Sequence, residues 1–478
     1  MEGLEISEVL LSNSSLDNEK FRLDSEFFLK IYLDAYQKIK KVKHIQIVEC
    51  LELLTDFHAN GSYETIALNF NLLDEKNYAY MVRSTDLESQ NFDKDVKYID
   101  KHAYDFLSKT KIYGGELLIN KIGSPGRTYL MPKLEGRASL GMNLFMLRFK
   151  SNISISPEIA WLFFNTELGK NIIARKVNGT VPLTIDKDAI RSLYLPLFTN
   201  NMKKIIFNII EKYQKTLRDS ENSYLEAKNL LNFEIGLNDL EVDTNNINIK
   251  TLGKSLLLTG RLDSEHYYPQ YESYLKLVKN YPKGFEILSN SCDLKDTNFT
   301  PSDEESYRYI ELSNIGETGQ VKSAMTELGK NLPSRARRKV SASDLIVSSI
   351  EGSLSSCALI DNVNDGSLCS TGFYIINSKK INPETLLVLF KSEVMQNILK
   401  MNCSGTILTS INKPDFLNIP IPLIDEDLQI DICDLVQKSF QLKVESERLL
   451  GNAKKLVEYA IEYGEDNAIK YYEIGLIK

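Results

Sequence analysis

Apolar positions along this chain fall into two kinds of pattern, and each kind occurs twice. Short apolar or alternating runs bounded by Gly, Pro and Ser read as strands, at residues 116–122 and 140–149 in the first half and 344–350 and 373–376 in the second. Behind each set comes an apolar helical stretch, 159–173 and 385–399, opened by Pro157 and Pro383, where the fixed φ of proline suits a first helical turn. A short extended segment follows, ending at Leu195-Pro196-Leu197 and at Ile421-Pro422-Leu423. Each half then closes on a long amphipathic run. The first carries Ile205, Ile206, Ile209, Ile210, Tyr213, Leu217, Tyr224, Leu231 and Ile235; the second carries Ile430, Ile432, Leu435, Val436, Phe440, Val444, Leu449, Leu456 and Ile461. Roughly 34 residues at 1.5 Å each make a helix of about 50 Å, long enough to act as a spacer.

The expected fold is therefore α+β: two tandem α/β domains joined by long antiparallel helices, with an internal pseudo-two-fold repeat. The boundaries expected are 1–198 for the first domain, 199–240 for a central spacer helix, 241–424 for the second domain and 425–478 for a C-terminal spacer helix.

Identities in matching order support the repeat. Arg22-Leu23-Asp24-Ser25-Glu26-Phe27 returns as Arg261-Leu262-Asp263-Ser264-Glu265-His266, 239 positions later. Tyr78-Ala79-Tyr80-Met81 pairs with Tyr307-Arg308-Tyr309-Ile310, and Glu116-Leu117-Leu118-Ile119 with Asp344-Leu345-Ile346-Val347. From Pro157 and Pro383 onward the offset is a constant 226, through Gly179-Thr180, Ile185, Lys187, Pro196 and Leu197, which match Gly405-Thr406, Ile411, Lys413, Pro422 and Leu423. Length therefore varies in the front of each copy, where loops tolerate it, and is kept in the back.

Composition narrows the class. Hydrophobic residues at 43% and charged residues at 26% are those of a folded globular protein. The six cysteines form no C-x-x-C pair and only four histidines occur, so neither a disulfide framework nor a standard zinc site is expected. The acidic N-terminus and the lack of a long apolar run point to a cytoplasmic chain with no membrane contact. The net charge of −8 argues against a nucleic-acid binder when taken as a sum, but acidic helices can outweigh a basic surface elsewhere.

Catalytic constellations are missing: no Walker-type loop, no H-E-x-x-H, no G-x-S-x-G elbow. Gly123-Ser124-Pro125-Gly126-Arg127 lacks the Lys-Ser/Thr of a phosphate loop and reads as a surface turn. Asp24 with Glu26 and Asp263 with Glu265 read as structural carboxylates paired with Arg22 and Arg261 or with a helix end. Tyr78, Tyr80, Tyr307 and Tyr309, alternating on strands, read as core. Basic residues say more. Arg335, Arg337, Arg338 and Lys339 cluster just before the strand at 344–350, and Lys109 and Lys111 hold the equivalent place before Glu116, followed by Lys121, Arg127, Lys133 and Arg137. Such side chains suit phosphate contact and bidentate reading of guanine, which makes Lys109, Lys111, Lys121, Arg127, Arg137, Arg335, Arg337, Arg338 and Lys339 the expected DNA-binding set.

The doubled order of the RLDSE opening, the GELLI or SDLIV strand, the GT…I.K…LPL or GT…I.K…IPIPL close and a long helix resembles the DNA-specificity subunits of type I restriction–modification systems, over nearly the whole chain. Phe198-Thr199-Asn200 and Ile424-Asp425-Glu426 follow the close where that family often has a second proline and a Glu-Gln pair. The resemblance implies two target-recognition domains, each reading one half of a bipartite double-stranded DNA site, in a subunit that is not itself an enzyme. It also implies two methyltransferase subunits bringing S-adenosylmethionine, and restriction–translocase subunits bringing ATP and magnesium, in a phage-defence complex. No N-P-P-Y or D-P-P-Y run of an adenine methyltransferase occurs. The rival expectation is a protein-binding adaptor, or the specificity module of a related methyltransferase or defence complex.

Overall fold

A computed structural model describes residues 6–15, 17–89, 92, 96–151, 153, 155–245, 247–405 and 409–475; Thr406 of the closing motif lies outside the described residues. The chain divides into two compact units, residues 1–215 with 445–478 and residues 216–444.

In unit 1 the strands are β1 (His44–Gln46), β2 (Leu51–Asp56), β3 (Ala79–Val82), β4 (Lys97–Ile99), β5 (Lys111–Ile112), β6 (Leu117–Asn120), β7 (Thr128–Leu130), β8 (Ala138–Leu140), β9 (Leu144–Phe149) and β10 (Tyr194–Pro196). In unit 2 they are β11 (Phe285–Ile287), β12 (Cys292–Lys295), β13 (Ser306–Ile310), β14 (Met325–Leu328), β15 (Ala336–Lys339), β16 (Leu345–Ser348), β17 (Cys357–Leu359), β18 (Leu368–Ser370), β19 (Phe373–Ser378), β20 (Cys403–Ser404), β21 (Ser410–Ile411) and β22 (Pro420–Pro422).

Unit 1 has sheets in the order β2-β9-β6-β7 and β4-β3-β8-β5, and unit 2 repeats them as β12-β19-β16-β17 and β14-β13-β18-β15. Even the mixed character recurs, with β3 parallel to β8 and β13 parallel to β18 inside otherwise antiparallel sheets. The closing Leu-Pro motif has a partner in each copy: β1 pairs with β10 and β11 with β22. The sequence repeat is thus a repeat of topology. Its change of offset falls largely between the second and third strands, where unit 1 inserts the helix Tyr63–Asn69.

Each apolar stretch read as one helix from sequence is two. In unit 1, α1 (Lys30–Lys41) precedes the sheets, and α2 (Pro157–Phe164) and α3 (Glu167–Ala174) follow them, broken where the Thr166 hydroxyl accepts from the Gly169 N–H at 3.0 Å. A side-chain oxygen that satisfies an orphan amide starts a new helix and lets the axis turn. Next comes α4 (Asn200–Glu234), then α5 (Pro269–Lys279), α6 (Pro383–Lys391) and α7 (Glu393–Met401), with Ser392 repeating the cap on Met395, and finally α8 (Glu426–Tyr463) and α9 (Glu465–Glu473).

Both long helices are shared between the units, and within each unit they run antiparallel. In unit 2 Ser220 Oγ donates to the Ser439 carbonyl at 2.8 Å, while Lys283 Nζ lies 2.8 Å from Asp425 and 3.9 Å from Glu234, so the end of α4 meets the start of α8. In unit 1 Thr199 Oγ1, just before α4, donates to Glu465 at 2.5 Å. The unit 2 core gathers Ala227 and Leu231 of α4, Leu387 and Phe390 of α6, Ile398 of α7, Phe416, and Ile432 and Val436 of α8, all at 1% exposure or less. Each large side chain buried in this way contributes roughly 1.5–3 kcal/mol, so the helices are held to the sheets by burial rather than by propensity.

Candidate nucleic-acid interface

The opening motif is a fastening. Arg22 grips Asp24 at 2.7 and 2.8 Å and donates to the Val177 carbonyl at 2.6 Å, just past α3; Arg261 grips Asp263 at 2.5 and 2.9 Å and donates to the Cys403 carbonyl at 2.6 Å, just past α7. Those hydrogen bonds hold the Asp24 and Asp263 carboxyls below the ordinary carboxylate value. The arginine therefore binds both its own carboxylate and a helix end, and the carboxylates have a structural role.

A second fastening joins the closing motif to the front of each unit. Asp56, at the end of β2, takes Lys187 at 2.6 Å and Lys121 at 3.0 Å, with its own side chain 8% exposed. Burial opposes its charge, but the hydrogen bonds from Lys187 and Lys121 more than offset it, so its carboxyl sits below the usual value. In unit 2 Asp296, just after β12, takes Lys413 at 2.5 Å and is ion-paired with Arg338. The Lys413 hydrogen bond, against burial and with help from Arg338, lowers its carboxyl as well. The lysine of the G-T…I.K motif does the same work in both copies. Its second partner differs: Lys121 comes from the end of β6, Arg338 from β15.

The cations expected to touch DNA thus divide. Lys121 and Arg338 are committed to buried or half-buried carboxylates. Arg127 pairs with Glu88 at 3.1 Å but keeps about half of its side chain exposed. Arg337, half-buried, donates to the Ser334 carbonyl at 3.0 Å. Lys109 is exposed and reaches the Ala59 carbonyl at 2.9 Å. Arg335 is exposed and, among the described residues, makes no side-chain hydrogen bond or ion pair.

Lys111 and Lys339, 228 positions apart, lie on β5 and β15, the outer strands of equivalent sheets. Each stands over an aromatic ring, Lys111 Nζ at 4.4 Å from the Tyr104 centroid and Lys339 Nζ at 5.5 Å from that of Phe299. Around Tyr104 the structure brings together more than the sequence spacing shows. Tyr78 packs edge-on against Tyr104 at 5.6 Å, with Arg137 at 4.6 Å and Lys101 at 5.9 Å from the Tyr78 ring. In unit 2 Tyr307 packs on Phe299 in the same way, at 5.8 Å. Tyr309 is fully buried, as its alternation predicts, while Tyr78, Tyr80 and Tyr307 are only half-buried. Cations seated over rings at a sheet edge are held in place yet present their charge outward, an arrangement suited to phosphate and base contact.

Among the described residues no three His, Cys, Asp or Glu side chains gather where a metal ion could sit, and no helix is long and apolar enough to cross a membrane.

No family model and no curated protein matches the chain. Solved structures do. It is similar to a type I restriction–modification system S subunit from M. genitalium over 88% of this chain and 94% of that one, at 11% identity and a TM-score of 0.40. It is similar to the HsdS subunit from Thermoanaerobacter tengcongensis over 89% and 96%, at 11% identity and a TM-score of 0.27. A third, from work on complex assembly and conformational transition of the type I R-M system, is covered over 97% by 88% of this chain, at 12% identity and a TM-score of 0.29.

Lys101, whose place beside Tyr78 depends on the fold, and Arg308, exposed on β13 with its guanidinium 2.7 Å from the Val363 carbonyl, carry no signal in the sequence spacing. The tie between Lys187 or Lys413 and the strand end is hidden in the sequence because Asp56 and Asp296 sit 240 positions apart, out of step with the 226 of the motif lysines.

Proposed function

We propose that this chain is a DNA sequence-specificity subunit that catalyses nothing itself and directs partner enzymes to a bipartite site. Each unit serves as one target-recognition domain and reads one half of that site. The observation that carries the reading is the pair of cationic outer strands, β5 and β15, at the same place in two copies of one topology. The duplication supplies two reading surfaces, and their unlike residues, Lys109 and Lys111 against Arg337 and Lys339, read unlike half-sites. Tethering within one chain raises the effective concentration of each unit for its half-site once the other is bound.

The contact set on this reading is Lys109, Lys111, Arg127, Arg137, Arg335, Arg337 and Lys339, with Lys121 and Arg338 acting through the carboxylates they hold. The partners are two methyltransferase subunits, which bring S-adenosylmethionine, and restriction–translocase subunits, which bring ATP and magnesium. Co-expression with the genomically adjacent methyltransferase, followed by mapping of methylated adenines in host DNA, tests the proposal. A bipartite motif that disappears on deletion of this chain is the expected result. A stable complex with unchanged methylation would instead make it a protein adaptor.

A further inference from the structure

Unit 1 contains a groove of about 840 Å³ lined in part by Arg22, Gly126, Arg127, Lys170, Arg175 and Lys454. Five cations from four elements line it: the opening motif, the turn after β6, the middle and the end of α3, and α8. The turn is pressed onto α3, since Gly126 has φ +86° and a Cβ on it would lie 2.2 Å from Ile173 Cγ2. Arg175 is 4% exposed, its guanidinium carbon 4.2 Å from the Phe27 ring and 4.4 Å from that of Tyr36.

The duplicated unit provides an internal control. At the matching positions of unit 2, Arg127, Lys170 and Arg175 are replaced by Ser356, Gln396 and Met401. There the corresponding loop is tied down, with Gln396 Nε2 donating to the Leu354 carbonyl at 3.1 Å and Lys391 Nζ to the Ser355 carbonyl at 2.8 Å. The fold therefore does not need these three cations; unit 2 adopts the same topology without them. Carboxylates partly offset the charge in unit 1, Arg22 being paired with Asp24, Arg127 with Glu88 and Lys170 with Glu167, and Glu26 also lines the groove. Lys454 is half-buried, and burial first, then the neighbouring Lys170 charge, holds its ammonium below the ordinary lysine value. A bound anion would relieve that repulsion.

We propose that this groove is a phosphate-binding site, taking a phosphate ester carried on a free nucleotide or on the DNA backbone. Guanidinium groups present a planar fork that matches phosphate oxygens, and lysines add point charge. The site does not depend on the specificity reading, because inorganic pyrophosphate probes it without DNA.

Calorimetric titration of the full chain with inorganic pyrophosphate, with ATP and with a short DNA duplex tests it. The double substitution Lys170→Gln and Arg175→Met installs the unit 2 residues, and Arg127→Ser alters only a half-exposed side chain, so a fold defect in the first leaves the second interpretable. Saturable pyrophosphate binding that weakens about tenfold or more in both variants is expected. The source is read from the Lys170→Gln, Arg175→Met protein, whose two residues lie outside the proposed DNA contact set: an unchanged DNA salt dependence assigns the ligand as a free phosphate ester, and a slope that falls by about one for each contact removed assigns it as the backbone. Wild-type protein that binds neither pyrophosphate nor ATP saturably and whose DNA salt slope the variants leave unchanged, or variants that bind every probe as tightly as wild type, would overturn the assignment.

Discussion

Replacing Asp56 by Asn removes the charge on which Lys187 and Lys121 converge while keeping the size of the side chain. Two charge-assisted hydrogen bonds are lost or weakened, each worth about 1.5–3 kcal/mol when buried. Here the lysines are a quarter to a third exposed, 25% for Lys121 and 32% for Lys187, and recover part of their hydration. The net cost is accordingly about 1.5–2 kcal/mol, below the roughly 3–5 kcal/mol of a fully buried pair. The one tryptophan in the sequence, Trp161, lies in α2 of unit 1, stacked near Tyr213 at 6.1 Å, so urea unfolding followed by tryptophan fluorescence reports on that unit. A double-mutant cycle with Lys187→Met isolates the pair and should give a coupling of about 1 kcal/mol. The pH dependence supplies a second check. The Asp56 carboxyl is depressed in the folded state, so its contribution is fully present above the unfolded value of 3.8 and is lost as pH falls through the lower folded value. The gap between wild type and Asp56→Asn should stay constant from neutral pH to about pH 5 and close below about pH 4. A coupling within about 0.3 kcal/mol of zero, or a gap that widens on acidification, would refute the fastening.

Arg335→Ala should weaken DNA binding by the methyltransferase complex and lower the slope of log affinity against log salt by about one, measured by fluorescence anisotropy across a salt series. Lys111→Ala and Lys339→Ala should each relax a different half of the methylated motif, read from methylation maps; relaxation of the same half by both would contradict the assignment of one half-site to each unit. Phe416→Ala, at a side chain with no exposed surface stacked 4.2 Å from Tyr374, should cost about 3–5 kcal/mol in denaturant unfolding. Burial pushes the thiols of Cys292, Cys369 and Cys403 up to about 12 and that of Cys357 to about 11, so these four should resist a thiol reagent at pH 8 in the native protein and react once urea unfolds it.

The sequence by itself determined the duplication and the order of segments within each half. Hydrophobic periodicity, Pro157 and Pro383 at helix starts, and the constant offset of 226 after them were enough to place two central strands of each half, the closing segments and the long helices. These are local signals, set by what each residue's backbone and neighbours allow, and they survive being read one at a time. The breaks at Thr166 and Ser392 were legible in principle as caps, since Asn165-Thr166-Glu167 and Lys391-Ser392-Glu393 interrupt the apolar runs. The fate of individual cations was not legible at all. Lys121 and Arg338 look no different in sequence from Lys111 and Arg335, yet the first two are spent on Asp56 and Asp296 while Lys111 stands over a ring and Arg335 faces water. Charge acts over a few ångströms in space, and its partners arrive from distant parts of the chain, so only the tertiary structure decides which basic residues hold the protein together and which remain for a ligand.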